Sequence, residues 1–243
     1  MPELRVALEP VTKMRVIAVI PVLNEQGAIG NTLRRLPATV VERAIVVDGG
    51  STDATVTEAR ALGAEVIEET RRGYGRACMT GAERAASLGA ELVLFMDGDG
   101  SDAVELAARL VAPIEAGEAD FVLATRTRGT RQPGSMGWHQ VLAGEMIGQA
   151  VGLLAGVRYT DMCAFRVVRV EDLLRLGMRE MTYGWNLEMQ SRASRAGLRV
   201  REVALPYYRR VAGASKVAGN FRGTLRAGTR ILGTLARVGL AKQ

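Results

Sequence analysis

Leu92-Val-Leu-Phe-Met-Asp97-Gly98-Asp99-Gly100-Ser101-Asp102 decides the fold. Its five apolar residues run without a polar interruption, as in a strand covered on both faces. They stop at a turn that carries three carboxylates and two glycines. A buried strand that empties into a polar turn and then a helix is the repeating unit of an open α/β sheet. Outward from this stretch the same unit recurs. Residues 14–20 read as a buried strand that stops at Pro21 and opens into Pro21-Val-Leu-Asn24-Glu25. Residues 44–48 open into Asp48-Gly-Gly-Ser51-Thr-Asp53, residues 65–68 form a further strand, and residues 121–124 end in Thr125-Arg126. Helical patterns near 25–36, 53–62, 74–88 and 102–116 fill the intervals. This rhythm predicts an α/β protein with a mostly parallel central sheet flanked by helices. Ser51-Thr-Asp53 and Ser101-Asp102 offer N-capping oxygens to the helices that follow them.

After residue 130 the rhythm changes. Glycines at 134, 137, 144, 148, 152 and 156 punctuate a long helical stretch. A strand near 164–168, a helix over 185–196 and a strand over 198–205 follow, and a basic amphipathic helix runs from about 220 to the end. With no repeat and no low-complexity linker, the expectation is one domain over 1–243. About 14–130 form a nucleotide and metal half, about 131–219 an acceptor half, and about 220–243 the tail helix.

The chain has 243 residues, 48% hydrophobic and 24% charged, which are ordinary globular proportions. The two cysteines, Cys78 and Cys163, form no CxxC pair and give no disulfide-framework signal. The formal net charge of +6 is unevenly spread: 15 basic and 20 acidic residues up to 157, then 17 basic and 6 acidic. The basic second part suggests an anionic partner, with a solvated surface as the plainer reading. Residues 1–10 are charged and broken by Pro2 and Pro10, unlike a secretory leader. No run of 18 uncharged apolar residues occurs. The expected location is the cytoplasm, with peripheral contact at the inner membrane face as a role for the tail, whose competing role is to pack on the domain.

In an open α/β sheet, ligands bind beyond the carboxyl ends of the strands. Carboxylates at several strand ends are costly to cluster unless a positive group sits among them. Asp97 and Asp99, two residues apart on a glycine turn, can share a hard divalent cation, Mg²⁺ or Mn²⁺, with a diphosphate completing the shell. A capped turn would account for the pair on its own. GxGxxG, the P-loop and the GxSxG elbow are all missing, and the one histidine, His139, gives no triad or multi-histidine metal site.

The ordered series PVLNE, VVDGGSTD, RRGYGRA, MDGDGSD, DMCAFRVV, YGWNLEMQSRA and RRVAGASK resembles the inverting family 2 glycosyltransferases of GT-A fold. Within them it is most similar to the dolichyl/polyprenyl-phosphate mannose synthase branch and its bacterial relatives. The resemblance implies a nucleotide-diphosphate sugar donor, a divalent metal and inversion at the anomeric centre. By the same resemblance Pro21, Asn24 and Glu25 match the first nucleotide loop, Asp48 the acid that contacts base or ribose, and Gly73, Gly75 and Arg76 the glycine-rich segment against the nucleotide. Asp97 and Asp99 match the metal pair, with Ser101 close by. Arg126 faces phosphate, and Asp161, Glu188, Arg210, Ser215 and Lys216 match the acceptor side.

Asp161 or Glu188 could act as the base for a hydroxyl acceptor. A lipid phosphate needs no strong base, and Arg210 and Lys216 would position it. Simpler readings exist: Asp161 as a turn cap, Glu188 paired with Arg192 at i+4, and Arg210 and Lys216 in a solvated loop. The chain departs from the family at Gly49, where a second aspartate is usual, and over 138–150, which lacks the usual Arg, Ser and Asn. UDP- and GDP-sugars, and polyprenyl-phosphate, other lipid or small hydroxyl acceptors, therefore stay open. A homo-oligomer is compatible with the sequence, and nucleic acid is not an expected partner. The competing functions are a non-catalytic nucleotide-sugar binder and a sugar-1-phosphate nucleotidyltransferase, whose glycine-rich first loop PVLNE does not match.

Overall fold

The computed structural model describes residues 13–137, 141, 144–146, 148, 149, 157 and 159–212. Seven strands form one sheet: β1 (Val16–Val22), β2 (Arg43–Asp48), β3 (Glu65–Glu68), β4 (Leu92–Phe95), β5 (Phe121–Thr125), β6 (Arg166–Arg169) and β7 (Val200–Ala204), in the order β3-β2-β1-β4-β6-β5-β7. β1, β2, β3 and β4 are paired in parallel, as are β5 and β7, while β6 runs antiparallel to β4 and β5. Every strand except β6 therefore ends on one rim. The direction of winding reverses at β1, between β2 and β4, which is where such sheets open a crevice.

The apolar runs are continuous because both faces are covered. Alternate residues of β1 enter two cores: Val16, Ala18 and Ile20 pack with Leu94, Val122 and Phe165, whereas Ile17 and Val19 pack with Val47, Phe95 and Trp185. Burying each such Val or Ile contributes about 1.5–3 kcal/mol. Among the described residues the helices are α1 (Ala28–Arg35), α2 (Thr55–Ala61), α3 (Tyr74–Ser87), α4 (Ala108–Glu115), α5 (Val170–Arg175) and α6 (Trp185–Arg195).

Three local expectations change. β1 continues through Pro21 to Val22, because pairing with β4 already ends at Val19 and no ladder partner on that side waits for the missing N–H. The pattern over 102–116 resolves into a 3₁₀ turn, Val104–Leu106, followed by α4, and neither helix has a side-chain cap. Ser101 and Asp102 turn inward to the acidic loop instead. α5 lies directly after β6, where the sequence pattern showed no separate helix. The tail helix over 220–243 and His139 lie outside the described residues.

Candidate active site

The loops after β1 and β2 are laced together. Asn24, at φ 50°, accepts the Thr52 N–H at 2.8 Å on Oδ1, and its own N–H donates to Ser51 Oγ at 2.8 Å. A left-handed backbone is uncommon for a non-glycine residue, and Asn tolerates it best. Glu25 N–H donates to Thr55 Oγ1 and Gln26 N–H to Asp53 Oδ2. Asp48 is buried and spends its carboxylate on its own turn, accepting Gly50 N–H, Ser51 N–H and the Ser51 hydroxyl. The side chain thus shapes its own turn. A cavity of about 300 Å³ lies beside that turn, lined by Asp48, Gly50, Ser51, Val56, Glu68, Glu69 and Thr70. A larger concavity of about 630 Å³ sits at the opposite ends of β2 and β3, away from the rim.

At the end of β4 the turn folds on itself. Asp99 Oδ1 accepts the Ser101 N–H at 2.9 Å and the Ser101 hydroxyl at 2.5 Å. Asp102 Oδ2 accepts the Asp97 N–H at 3.1 Å. Gly100, at φ 79°, is required: a Cβ there would lie 2.5 Å from Val211 Cγ2. Burial pushes the Asp97 carboxyl well above the usual carboxylate range, with the charges of Asp99 and Asp102 adding to it. Burial and Asp99 push Asp102 up to about 6. Arg35, from the end of α1, holds the turn from outside, donating to Gly100 O at 2.9 Å, Asp102 O at 2.8 Å and Glu105 Oε2 at 2.6 Å.

Residues 206–212 cross over this turn as a strap. Tyr208 N–H donates to Ser101 O at 2.9 Å and Val211 N–H to Asp99 O at 3.0 Å. Tyr207 forms bridges to both Asp102 and Arg131. From the strap Arg210 reaches in, with Nη1 2.8 Å from Asp99 Oδ2 and Nη2 at 2.7 and 2.8 Å from the two Glu25 oxygens. Burial lowers the affinity of this guanidinium for its proton, but Asp99 and Glu25 outweigh it and leave the pKa raised. Arg35 and Arg126 stack on the strap tyrosines, 4.9 Å from the Tyr208 ring and 5.1 Å from the Tyr207 ring.

Both expected bases are otherwise engaged. Asp161 is 0% exposed, and its carboxylate accepts four hydrogen bonds of 2.7–2.8 Å, three from Arg126 and one from Met162 N–H. Burial raises its pKa, but the Arg126 charge and hydrogen bonds outweigh that and leave it below the ordinary value. Arg126 in turn holds Asp161 through its backbone N–H, Nε and Nη2, and its charge also acts on Asp97 and Asp102. Glu188 is 2% exposed and accepts the N–H groups of Arg179 and Glu180 at 2.9 and 2.6 Å, with Arg192 Nε at 2.8 Å. The i+4 pairing with Arg192 is present. All four Asp161 lone pairs are thus taken, and Glu188 holds three hydrogen bonds in a buried position, so both carboxylates make structural contacts.

The glycine-rich segment is moulded by the loop that Glu188 holds. Arg76 N–H donates to Met181 O at 3.0 Å. A Cβ on Gly73 would lie 2.1 Å from Met181 O, and one on Gly75 2.5 Å from Glu180 O. Only glycine lets the start of α3 approach this closely. Ser215 and Lys216 lie outside the described residues.

The structure brings Glu25, Asp99 and Arg210 together at the rim, with the Asp97 charge acting on Arg210. The start of α3, capped by Gly73, is near enough for the Asp97 charge to act on Tyr74. Arg35, Tyr207 and Tyr208 were missed by sequence reasoning. The Pro206-Tyr-Tyr-Arg-Arg210 run was the signal, an aromatic pair next to two cations just past a strand. No group of three or more His, Cys, Asp or Glu converges in metal-holding geometry among the described residues. Two carboxylates are nevertheless a fitting donor set for a hard cation that takes its remaining oxygens from phosphate and water. Arg210, bound between Glu25 and Asp99, is a cation standing at this position.

The sequence profile of glycosyl transferase family 2 matches residues 17–174. The chain belongs to that family. As a family 2 glycosyltransferase it is 38% identical over 213 residues to an uncharacterized glycosyltransferase of Mycobacterium tuberculosis, covering 86% of this chain and 93% of the relative. It is 31% identical over 225 residues to the undecaprenyl-phosphate mannosyltransferase of Micrococcus luteus, covering 86% and 90%. The polyprenol monophosphomannose synthase of Mycolicibacterium smegmatis is 27% identical over 221 residues, covering 85% and 82%. In fold the glycosyltransferase is similar to the glucosyl-3-phosphoglycerate synthase of M. tuberculosis, crystallised with Mn²⁺, UDP-glucose and phosphoglyceric acid. The TM-score is 0.70 at 22% identity, over 95% of this chain and 82% of the other. The enzyme thus has the GT-A fold. No helix among its described residues is long and apolar enough to cross a membrane.

Proposed function

We propose that this enzyme transfers a sugar from a nucleoside-diphosphate donor to a polyprenyl phosphate, with inversion, and uses no protein base to do so. The saturation of Asp161, with Glu188 buried and tied to Arg192 and the 179–180 backbone, carries this reading. A hydroxyl acceptor must lose a proton as it attacks, and Asp161 has no lone pair to receive it, while Glu188 is 2% exposed and already holds three hydrogen bonds. A phosphate oxygen is already anionic. It attacks the anomeric carbon, the bond from that carbon to the donor phosphate breaks, and the nucleoside diphosphate leaves with the electron pair. The two relatives named for undecaprenyl-phosphate and polyprenol-phosphate mannose transfer support the same acceptor class.

Asp97 and Asp99 would hold a divalent cation, which when bound supplies positive charge beside the departing diphosphate. Glu25 and the laced β1 and β2 loops border the donor, and the cavity beside Asp48 is sized for part of a nucleoside. Arg76, at the amino end of α3, adds a positive side chain suited to phosphate. A thermal-shift series with UDP- and GDP-sugars, with and without Mn²⁺ or Mg²⁺, tests the donor assignment. Stabilisation by one nucleotide class, dependent on metal and lost in Asp99→Asn, is the expected result. Equal stabilisation of the wild type and Asp99→Asn would contradict it.

A further inference from the structure

Asp99 has one carboxylate oxygen left over from the turn, and Arg210 occupies it. Oδ1 is held by the Ser101 N–H and hydroxyl, so Oδ2 is the atom that faces out of the turn, and Arg210 Nη1 lies 2.8 Å from it. The second arm of the same guanidinium spans both oxygens of Glu25. Arg210 Nε is buried with no hydrogen-bond partner among the described residues, and Asp97 adds to the negative field around the group. Arg210 thus serves Asp99 and Glu25 directly, and its charge, with that of Arg126, acts on Asp97.

The backbone that carries Arg210 is fixed independently of its side chain. Tyr208 and Val211, on either side, are hydrogen-bonded to Ser101 and Asp99. The guanidinium can leave the carboxylates by side-chain rotation while the strap stays docked, and its side chain is 24% exposed, so an exit is open. A divalent cation on Asp99 Oδ2 and a guanidinium on the same oxygen compete for it and repel each other as like charges.

We infer that Arg210 is the resident counter-cation of the metal position, and that the metal binds by exchanging with it. The exchange frees the guanidinium next to the place where phosphate oxygens arrive with the metal. Arg210 is then a positioning residue in two states: on Glu25 and Asp99 without metal, and turned from them with it. This inference rests on the assignment of the metal to Asp97 and Asp99, and the test separates the two.

Mn²⁺ is titrated against the full chain without nucleotide, with the free ion followed by its electron paramagnetic resonance signal, for the wild type, Arg210→Gln, Arg210→Lys and Asp99→Asn. Circular dichroism checks that each is folded. The expected result is weak binding by the wild type, binding tightened about tenfold or more in Arg210→Gln, an intermediate gain in Arg210→Lys, and loss in Asp99→Asn. Arg210→Lys keeps the charge and the fold if the glutamine variant does not. Unchanged or weaker Mn²⁺ affinity in both arginine variants, with binding still lost in Asp99→Asn, overturns the exchange. Binding that survives Asp99→Asn overturns the metal assignment, and the exchange with it.

Discussion

Asp161 shows how a residue that looks catalytic in sequence can be structural in space. Its four short hydrogen bonds at zero exposure describe a buried ion pair with Arg126, whose guanidinium is held on its other face by the Tyr207 ring. Breaking such a pair from one side leaves an uncompensated buried charge. Asp161→Asn is expected to destabilise the protein by about 3 kcal/mol, read as the shift of a chemical denaturation midpoint. Because the folded pKa lies below the ordinary 3.8, the stability this group adds is fully present above that value. It is lost as pH falls through the lowered folded pKa. The variant should therefore lack that part of the acid dependence. An Asp161→Asn protein as stable as the wild type but without turnover would restore the base role. The position of Asp161 in a turn before a strand was legible in sequence. Its partner was not, because Arg126 is 35 residues away and both side chains also read plausibly as facing a ligand.

At the scale of elements, α6 and the 179–182 loop act on α3. Glu188 pins the loop through two backbone N–H groups, and Met181 and Glu180 present the carbonyls against which Gly73 and Gly75 close. A change at Glu188 should reach the donor through this chain of contacts. In Glu188→Gln the single amide oxygen keeps either the two loop N–H groups or Arg192, and the NH₂ in the other place accepts nothing. The hold on the loop, and through it on the start of α3, therefore weakens. The expected kinetic result is a donor KM raised roughly tenfold, a smaller change in kcat and an unshifted pH profile. A general base would instead cost about 10²–10⁴ in kcat, with donor affinity intact. The glycines were readable as a close approach, but what they approach was not, since the partner carbonyls come from a loop about a hundred residues later. The acidic turn was read correctly as a cluster. Its inward capping was missed because Ser and Asp after a glycine look the same whether they cap a helix or their own turn.

Over the whole molecule, the rim gathers what the chain keeps apart. Glu25, Asp97, Asp99 and Arg210 span most of the described sequence, and the parallel strands bring them together. The parallel half of this architecture was legible because a buried strand followed by a polar turn repeats four times with little variation. The antiparallel β6 was not, since a four-residue strand, Arg166-Val-Val-Arg169, carries no sign of its direction. The account as a whole claims that charge already on the acceptor replaces a base in the protein. The most direct test incubates the enzyme with Mn²⁺, the donor found by thermal shift carrying a radiolabelled sugar, and either undecaprenyl phosphate or undecaprenol, which differ only in the phosphate. Label in the lipid extract with undecaprenyl phosphate, and none above background with undecaprenol, is the predicted result. Transfer to undecaprenol at a comparable rate would contradict it.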